Sequence, residues 1–321
     1  MADHGDPITR NRAERPVGKF EHPDWTADGA PRAQVAFETL QTLWINTGTL
    51  CNITCENCYI ESSPKNDRLA FITADEARPF FEDAAQLGAR QIGFTGGEPF
   101  MNPHMLSLIS GALEQGLDAL VLTNAMRPMM RPAIQDGLLA LNKRFGHKLS
   151  FRISIDHPTA ELHDQERGAG AYDKTLSGLE WLARNGFALS AAGRTRWGDA
   201  ADDLRAAYAA CFQTRDIPIN AYDPESLVLF PEMDAVEDPP EITESCWDIL
   251  GSSPSSLMCA TQRMVVKDKG AAAPSVRACT LIPYEKAFDL GPDLRAASKA
   301  VPLNHRHCAT FCVLGGASCA R

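Results

Sequence analysis

The chain is 321 residues long, which is enough for one large α/β domain and a smaller appendage. Its net charge of −10 argues against sequence-independent binding to nucleic acid, because such binding needs a basic surface. No apolar run reaches the roughly 20 residues that span a bilayer, and no apolar secretory signal opens the chain. Ten cysteines without an export signal favour metal binding or redox chemistry over disulfides. We therefore expect a cytoplasmic protein that binds neither nucleic acid nor a membrane.

Residues 1–37 are polar, charged and punctuated by prolines, which predicts an extended N-terminal arm. From residue 38 to about residue 225, short apolar segments alternate with amphipathic ones. The apolar segments predict strands over residues 42–46, 91–95, 119–123, 149–155, 188–192 and 217–220. The amphipathic segments predict helices over residues 73–87, 105–115, 131–143, 172–185 and 200–213, the first opened by a capping box from Thr73 to Glu76.

Strands that alternate with helices form parallel sheets, which are open or closed. The pattern holds about six βα units, fewer than the eight of a complete barrel. We therefore predict an α/β fold in which residues 38–225 form a partial (β/α)6 TIM-like barrel. Chemistry in such folds sits beyond the carboxyl ends of the strands, so polar motifs that follow strands are the candidate site residues.

Three cysteines, Cys51, Cys55 and Cys58, form a CxxxCxxC segment shortly after the first predicted strand. Three thiolates on one loop can hold three corners of a cubane iron–sulfur cluster, whereas full ligation takes four cysteines. The loop has no local fourth cysteine, so one iron would stay open to another ligand, as in catalytic metal sites. A zinc site or scattered structural cysteines are the alternatives. A zinc site usually closes with a nearby cysteine or histidine, and none follows before His104.

The cysteine segment, followed at once by Tyr59, resembles the radical S-adenosylmethionine (radical SAM) superfamily. One departure is Asn57, where the family often has an aromatic residue. The second strand runs into Gly96-Gly97-Glu98-Pro99, which resembles the family's Gly-Gly-Glu-Pro motif. By itself this segment would be a turn whose glycines let a ligand approach the backbone. The resemblance implies that it contacts the amino group of S-adenosylmethionine, an ammonium that suits carbonyl and carboxylate acceptors.

Two further strand ends carry motifs of the same family. Thr123-Asn124 resembles the Thr-Asn-Gly turn, with Ala125 in place of glycine, so we do not expect a positive φ there. Ser154 and Asp156 resemble the Ser-Ile/Leu-Asp segment, where the serine lies near the cofactor's carboxylate or ribose. The alternative for both residues is that they merely cap the strand end.

Arginines follow the fifth predicted strand, and an arginine fork suits a carboxylate. Arg194 is the candidate partner of the cofactor carboxylate, with Arg196 as an equal alternative. The preceding segment from His163 to Gly168 resembles a His-Asp-x-x-Arg-Gly segment of radical SAM enzymes that carry extra C-terminal clusters. By itself it would be a charged loop on a solvated face.

Residues 226–321 break the βα rhythm and form, we predict, a linker followed by a cysteine-rich region. The linker covers residues 231–254, which are rich in proline and acidic residues. Residues 264–267 and the Gly-Ala-Ala-Ala-Pro turn after them predict a β-hairpin. The hairpin and the cysteine-rich tail resemble the Twitch or SPASM extensions of radical SAM enzymes, which enclose auxiliary clusters.

The C-terminal region holds six cysteines, too few for two fully ligated cubanes. We assign one auxiliary 4Fe-4S cluster to Cys259, Cys279, Cys308 and Cys312, and Cys319 can replace one of them. Structural zinc is the alternative, since four cysteines also suit that ion. Cys246 is either a further ligand or a buried thiol. His305 and His307 are either metal ligands or surface residues, and Cys211 on a helical pattern belongs to the core.

The resemblance implies a radical SAM enzyme in which Cys51, Cys55 and Cys58 hold the catalytic 4Fe-4S cluster. Reductive cleavage of S-adenosylmethionine at that cluster would give a 5′-deoxyadenosyl radical that abstracts hydrogen from a peptide or small-molecule substrate. It further implies an electron donor of the flavodoxin or ferredoxin type. The alternative from another class is a non-catalytic iron–sulfur or zinc scaffold that binds a protein partner.

Overall fold

The computed structural model describes residues 18–232 and 238–316. Three predictions fall partly or wholly outside the described residues: residues 1–17 of the N-terminal arm, residues 233–237 of the linker, and Cys319.

Short strands and helices follow one another along the chain. The strands are β1 (Gln34–Val35), β2 (Thr42–Asn46), β3 (Gln91–Thr95), β4 (Asp118–Thr123), β5 (Leu149–Ser154), β6 (Ala188–Arg194), β7 (Leu227–Phe230), β8 (Gln262–Val266), β9 (Ser275–Arg277), β10 (Asp289–Gly291) and β11 (Val301–Pro302). The helices are α1 (Ala74–Gln86), α2 (Met105–Glu114), α3 (Pro132–Phe145), α4 (Ala160–Arg167), α5 (Ala171–Arg184), α6 (Ala201–Gln213), α7 (Cys246–Leu250) and α8 (Met258–Thr261).

Nine of these strands form one sheet, in the order β10-β9-β8-β2-β3-β4-β5-β6-β7. The pairs from β8 to β7 are all parallel, whereas β9 and β10 add antiparallel strands at one edge. The predicted α/β fold with a mostly parallel sheet is therefore confirmed. Because carboxyl ends of parallel strands meet at one side of a sheet, the loops after β2 to β6 lie together there.

Apolar residues cover both faces of the sheet, because alternate residues of a strand point to opposite sides. On one side, Phe94 and Phe151 pack in a core to which α1, α2, α3, α5 and α6 all contribute. On the other side, Trp44 and Met264 form a smaller cluster with Phe311 of the tail. The C-terminal region thus covers the part of the sheet that those helices leave open.

The predicted strands and helices up to residue 213 are confirmed to within a few residues. The capping box of α1 is present, since Glu76 N–H donates to Thr73 Oγ1 at 3.3 Å and Thr73 N–H donates to Glu76 Oε2 at 3.0 Å. The predicted strand over residues 217–220 is wrong. Ile217 N–H bonds the Phe212 carbonyl at 3.0 Å, and Pro218 has no N–H to offer a sheet. The strand that follows α6 is β7.

Helix α4 also departs from expectation, because its residues were predicted to be either a family motif or a charged, solvated loop. The loop alternative is wrong, since His163 and Glu166 are both buried. Helical spacing places them on one side of α4, together with Arg167. That side faces the loops at the carboxyl ends of the strands.

The predicted hairpin is confirmed as β8 and β9, which pair antiparallel. The sequence did not predict where this hairpin lies in the fold. Strand β8 also pairs in parallel with β2, with Leu43 opposite Arg263. The main sheet therefore continues into the region after residue 226. The register between β2 and β8 joins segments about 220 residues apart, which no local pattern encodes.

Residues 18–37, the described part of the predicted arm, pack against the C-terminal region. Strand β1 pairs antiparallel with β11, and Ala33 N–H donates to the Ile242 carbonyl at 2.9 Å. The Arg32 side chain is fully buried and forms an ion pair with Glu241. Its Nη1 also donates to the Leu303 carbonyl at 3.2 Å. This segment is therefore an integral part of the C-terminal packing.

We expect Gly178→Ala in α5 to destabilise the protein, although alanine normally stabilises a helix interior by about 1 kcal/mol over glycine. An added Cβ would lie 1.9 Å from the carbonyl oxygen of Ala125, and such overpacking costs roughly 1–3 kcal/mol. Gly111→Ala in α2 is the matched control, because its Cβ would lie 3.3 Å from Phe81. Urea unfolding followed by circular dichroism should show a lower midpoint for Gly178→Ala than for Gly111→Ala. Equal midpoints for the two variants would contradict the close approach of Gly178 to the Ala125 carbonyl.

Candidate active site

One cavity at the carboxyl ends of the strands collects most of the predicted site residues. The three thiols of Cys51, Cys55 and Cys58 line it from the loop after β2. The other predicted residues that line the same cavity are Gly96, Gly97, Thr123, Asn124, Ser154, Asp156 and Arg194. Apolar side chains, including Trp44 and Phe230, complete the wall.

The glycine turn after β3 packs directly on the backbone at the base of the cysteine loop. Gly97 N–H donates to the Gly48 carbonyl at 2.9 Å, and Glu98 N–H donates to the Leu50 carbonyl at 3.1 Å. A Cβ on Gly96 would lie 2.5 Å from the Gly48 oxygen, and one on Gly97 would lie 2.4 Å from the Leu50 oxygen. Both positions therefore require glycine because the cysteine-loop backbone approaches them closely, whether or not a ligand also does so.

Glu98 and Pro99 lie behind the cavity wall and are not among the residues that line it. The Glu98 carboxylate is buried and accepts three hydrogen bonds: from Phe100 N at 3.1 Å, Thr123 Oγ1 at 2.8 Å and Asn124 N at 2.9 Å. Burial raises the pKa of this carboxyl above its usual value. In this arrangement Glu98 joins the glycine turn to the end of β4.

The end of β4 is bound to the cysteine loop. Asn124 Nδ2 donates to Asn52 Oδ1 at 2.9 Å, and Asn124 Oδ1 accepts from Met126 N–H at 3.0 Å. The expectation for Ala125 is wrong, because its φ is +55°. Its N–H donates to Thr123 Oγ1 at 3.0 Å, and the close approach of Gly178 to its carbonyl holds the turn in place.

Asp156 forms a buried ion pair with Arg167, which also lines the cavity. Arg167 Nε lies 2.5 Å from Asp156 Oδ2, and Arg167 Nη2 lies 3.1 Å from Oδ1. Burial acts to raise the pKa of Asp156, but the charge and hydrogen bonds of Arg167, together with the nearby Arg194 and His163, hold that pKa below its usual value. No role was assigned to Arg167 from the sequence. The i, i+3, i+4 spacing of His163, Glu166 and Arg167 was the available signal.

Arg194 reaches the cavity but is already paired. Its Nη1 lies 2.8 Å from Glu166 Oε1, and its Nη2 lies 3.4 Å from Glu232. Arg196, the alternative candidate, places Nη1 2.7 Å from Glu166 Oε2. The structure thus brings both arginines to one carboxylate, Glu166, which the sequence did not single out.

The three thiols form a donor set suited to a cluster. Burial raises the pKa of Cys51 to about 12 and that of Cys55 to about 11, and coordination to a metal deprotonates such thiols outright. Within the described residues, no three Cys, His, Asp or Glu side chains lie close enough to hold a single metal ion. A cubane spreads its protein ligands over separate iron atoms, so its thiolates lie farther apart than the ligands of one ion. Three thiols that line one cavity are the type of donor that an iron–sulfur cluster takes.

A second cavity collects the predicted auxiliary ligands. Its lining includes the thiols of Cys259, Cys279, Cys308 and Cys312, with His307 beside them. Burial raises the pKa of Cys259 to about 11. The two cavities adjoin, because Cys279 lines the second and Thr280 lines the first.

Cys246 and His305 do not line this second cavity. The Cys246 sulfur accepts a hydrogen bond from Thr243 N–H at 3.4 Å, so it is a partly buried thiol with a local partner. The His305 ring packs on the His307 ring at 4.6 Å between centroids, and His305 Nδ1 accepts from His307 N–H at 3.1 Å. Cys246 and His305 thus each have a local hydrogen-bond partner.

The protein has an α/β fold with a mostly parallel sheet, and a cavity lined by three cysteines lies at the carboxyl ends of its strands. Residues 45–192 match the family model described as the Radical SAM superfamily. This segment contains the cysteine loop, the glycine turn and the ends of β4 and β5. The matched segment, a little under half of the 321-residue chain, is therefore similar to the radical SAM superfamily.

Curated relatives are similar to part of the chain. An AdoMet-dependent heme synthase of Methanosarcina barkeri is 32% identical over 138 residues, which cover 43% of this chain and 37% of the relative. The mycofactocin maturase MftC of Mycobacterium tuberculosis is 28% identical over 138 residues, which cover 43% of this chain and 33% of the relative. The similarity thus spans well under half the length of either relative.

A solved structure extends the likeness of fold. Streptococcus suis SuiB bound to its precursor peptide SuiA superposes with a TM-score of 0.55 at 11% identity, over 79% of this chain and 62% of SuiB. At this identity the match concerns the fold alone. None of the described helices is long and apolar enough to cross a membrane.

His163 generates a testable pH dependence of stability. It is buried, its Nδ1 accepts from Asp156 N–H at 3.2 Å, and burial lowers its pKa to about 4. The unfolded chain therefore binds more protons than the folded one between about pH 6.5 and 4. Stability from this residue is full above that window and is lost as the pH falls through it.

His163→Asn retains an acceptor near Asp156 N–H but cannot titrate. We expect its free energy of unfolding to fall less steeply with decreasing pH than that of the wild type. Between about pH 6.5 and 4, the free energy of unfolding of the wild type should fall by as much as about 3 kcal/mol more than that of His163→Asn. Urea unfolding at several pH values measures both slopes, and identical slopes would show that His163 titrates normally.

Proposed function

We propose that this chain is a radical SAM enzyme that cleaves S-adenosylmethionine reductively at a 4Fe-4S cluster held by Cys51, Cys55 and Cys58. One observation carries the proposal: the three thiols and the glycine turn line one cavity at the carboxyl ends of a parallel sheet. When bound, the cluster and its cosubstrate supply a 5′-deoxyadenosyl radical that abstracts hydrogen from the substrate.

The chain's own residues bind, orient and shield the cofactor. Gly96 and Gly97 offer unobstructed backbone to the cosubstrate's amino group, and Ser154 lies on the same wall for its carboxylate or ribose. The role proposed for Glu98 and Pro99 is to hold that turn, with Thr123 and Asn124 beside them. Asp156 and Arg194 face the cavity as paired charges, which keeps the wall polar and fixed.

We propose a partial (β/α)6 barrel over residues 38–225 and a Twitch- or SPASM-like extension over residues 226–321. The extension would hold one auxiliary 4Fe-4S cluster on Cys259, Cys279, Cys308 and Cys312, with Cys319 as a substitute ligand. The shared cavity of the four cysteines supports this assignment. Four cysteines would close the cluster, which favours electron transfer over substrate binding. The Cys279–Thr280 step, which joins the two cavities, offers a short connection.

The substrate we propose is a peptide, with a small molecule as the alternative. Support comes from relatives whose names denote peptide or natural-product maturation, among them MftC and the subtilosin biosynthesis protein AlbA of Bacillus subtilis. SuiB, which shares the fold, has been solved with a precursor peptide. A flavodoxin- or ferredoxin-type protein in the cytoplasm would donate the electron.

The activity is tested by anaerobic reconstitution, reduction with dithionite and measurement of 5′-deoxyadenosine. We expect the wild-type chain to form it and Cys55→Ala to reduce its formation to background, because one of the three thiols is lost. Cys211→Ala is the control, since Cys211 packs against the core on α6. A non-catalytic scaffold would form no 5′-deoxyadenosine in any variant.

Iron content tests the auxiliary cluster separately. Cys308→Ala should lower the iron bound after reconstitution from about eight to about four atoms per chain, since one of two cubanes loses a ligand. Cys211→Ala should leave iron content unchanged, because Cys211 packs against the core on α6. Equal iron in wild type and Cys308→Ala, or bound zinc, would contradict the assignment.

A further inference from the structure

The segment between Cys55 and Cys58 is attached to a single buried side chain. Asn57 N–H donates to Glu166 Oε1 at 2.8 Å, and Asn57 Nδ2 donates to Glu166 Oε2 at 3.0 Å. The preceding residue also bonds to α4, because Glu56 N–H donates to the Glu166 backbone carbonyl at 2.9 Å. Three hydrogen bonds therefore connect α4 to the two residues between these cysteines.

The same carboxylate also receives two guanidinium groups. Arg194 Nη1 lies 2.8 Å from Oε1, and Arg196 Nη1 lies 2.7 Å from Oε2. Glu166 is only 1% exposed, and each of its oxygens accepts one bond from Asn57 and one from an arginine. Hydrogen bonds to charged groups are the stronger class, and the low dielectric of a buried site strengthens them further. Since both oxygens are engaged, the carboxylate is suited to holding the loop.

We propose that Glu166 is a positioning residue that fixes the Cys55–Cys58 segment in its cluster-binding conformation. This inference rests on the proposed function, because it takes these cysteines as cluster ligands. Loss of the Asn57–Glu166 bonds frees the segment that carries two of the three thiols. Those thiolates then leave iron more easily, and the cluster at this site becomes more labile.

The test measures how fast a chelator, bathophenanthroline disulfonate, removes iron from the anaerobically reconstituted protein. The phase that belongs to the three-cysteine site is the one absent from the C51A/C55A/C58A variant. Asn57→Asp places a carboxylate against Glu166, and Glu166→Gln replaces an acceptor oxygen with a donor. We expect each single variant to accelerate this phase by roughly tenfold or more, the effect of losing a hydrogen bond to a charged group.

The N57D/E166Q double variant exchanges the donor and the acceptor of the side-chain hydrogen bond between positions 57 and 166. The amide introduced at position 166 can donate to the carboxylate introduced at position 57, and its oxygen can still accept from the backbone N–H of residue 57. We expect release to return to within about threefold of the wild-type rate, because the two bonds between positions 57 and 166 are restored, although the bond from Arg196 to the replaced oxygen is not. Glu161→Gln, the same substitution at an exposed position of α4, is the matched control and should leave the rate unchanged.

Faster release in both single variants, with recovery in the double variant, supports the proposal. Unchanged release in either single variant, or no recovery in the double variant, overturns it. If the single variants released iron faster only because they are less stable, their urea midpoints would fall and would not recover in the double variant. Urea unfolding curves are therefore measured for every variant alongside the release rates. A wild-type chain without the three-cysteine phase would contradict the proposed function itself, which separates the two failures.

Discussion

The candidate site depends on one backbone contact, between the glycine turn after β3 and the base of the cysteine loop after β2. Two hydrogen bonds join these loops, from Gly97 N–H to the Gly48 carbonyl and from Glu98 N–H to the Leu50 carbonyl. The approach is so close that neither glycine can carry a side chain. Because β2 and β3 are parallel neighbours, the two loops meet although they lie far apart in sequence.

Two buried carboxylates extend this contact to the rest of the cavity. Glu98 bonds the end of β4, where Asn124 in turn bonds Asn52 of the cysteine loop. Glu166 bonds the other part of that loop through Asn57, and it joins the loop to Arg194 at the end of β6. Buried polar groups of this kind are stable only when fully paired, so the cavity wall is a connected network.

Local patterns predicted much of this structure, and non-local pairing accounts for what they missed. The capping box of α1, the alternation of strands and helices, and the two site motifs each lie within a few residues of sequence. The pairing of β8 with β2, and the strand β7 in place of residues 217–220, depend on register between distant segments. In the site, Glu166 and Arg167 were missed because their partners lie on other loops. Ala125 has a positive φ because Thr123 and Gly178 hold its turn.

The most direct test of the account is electron–nuclear double resonance on the dithionite-reduced protein with S-adenosylmethionine labelled with nitrogen-15 in its amino group and oxygen-17 in its carboxylate. A cluster held by only three protein thiols leaves one iron for these two groups. We predict hyperfine coupling to both labels, and we predict that the coupling is lost in the Cys55→Ala variant. A reduced cluster without coupling to either label would contradict the claim that its fourth corner is open to the cosubstrate.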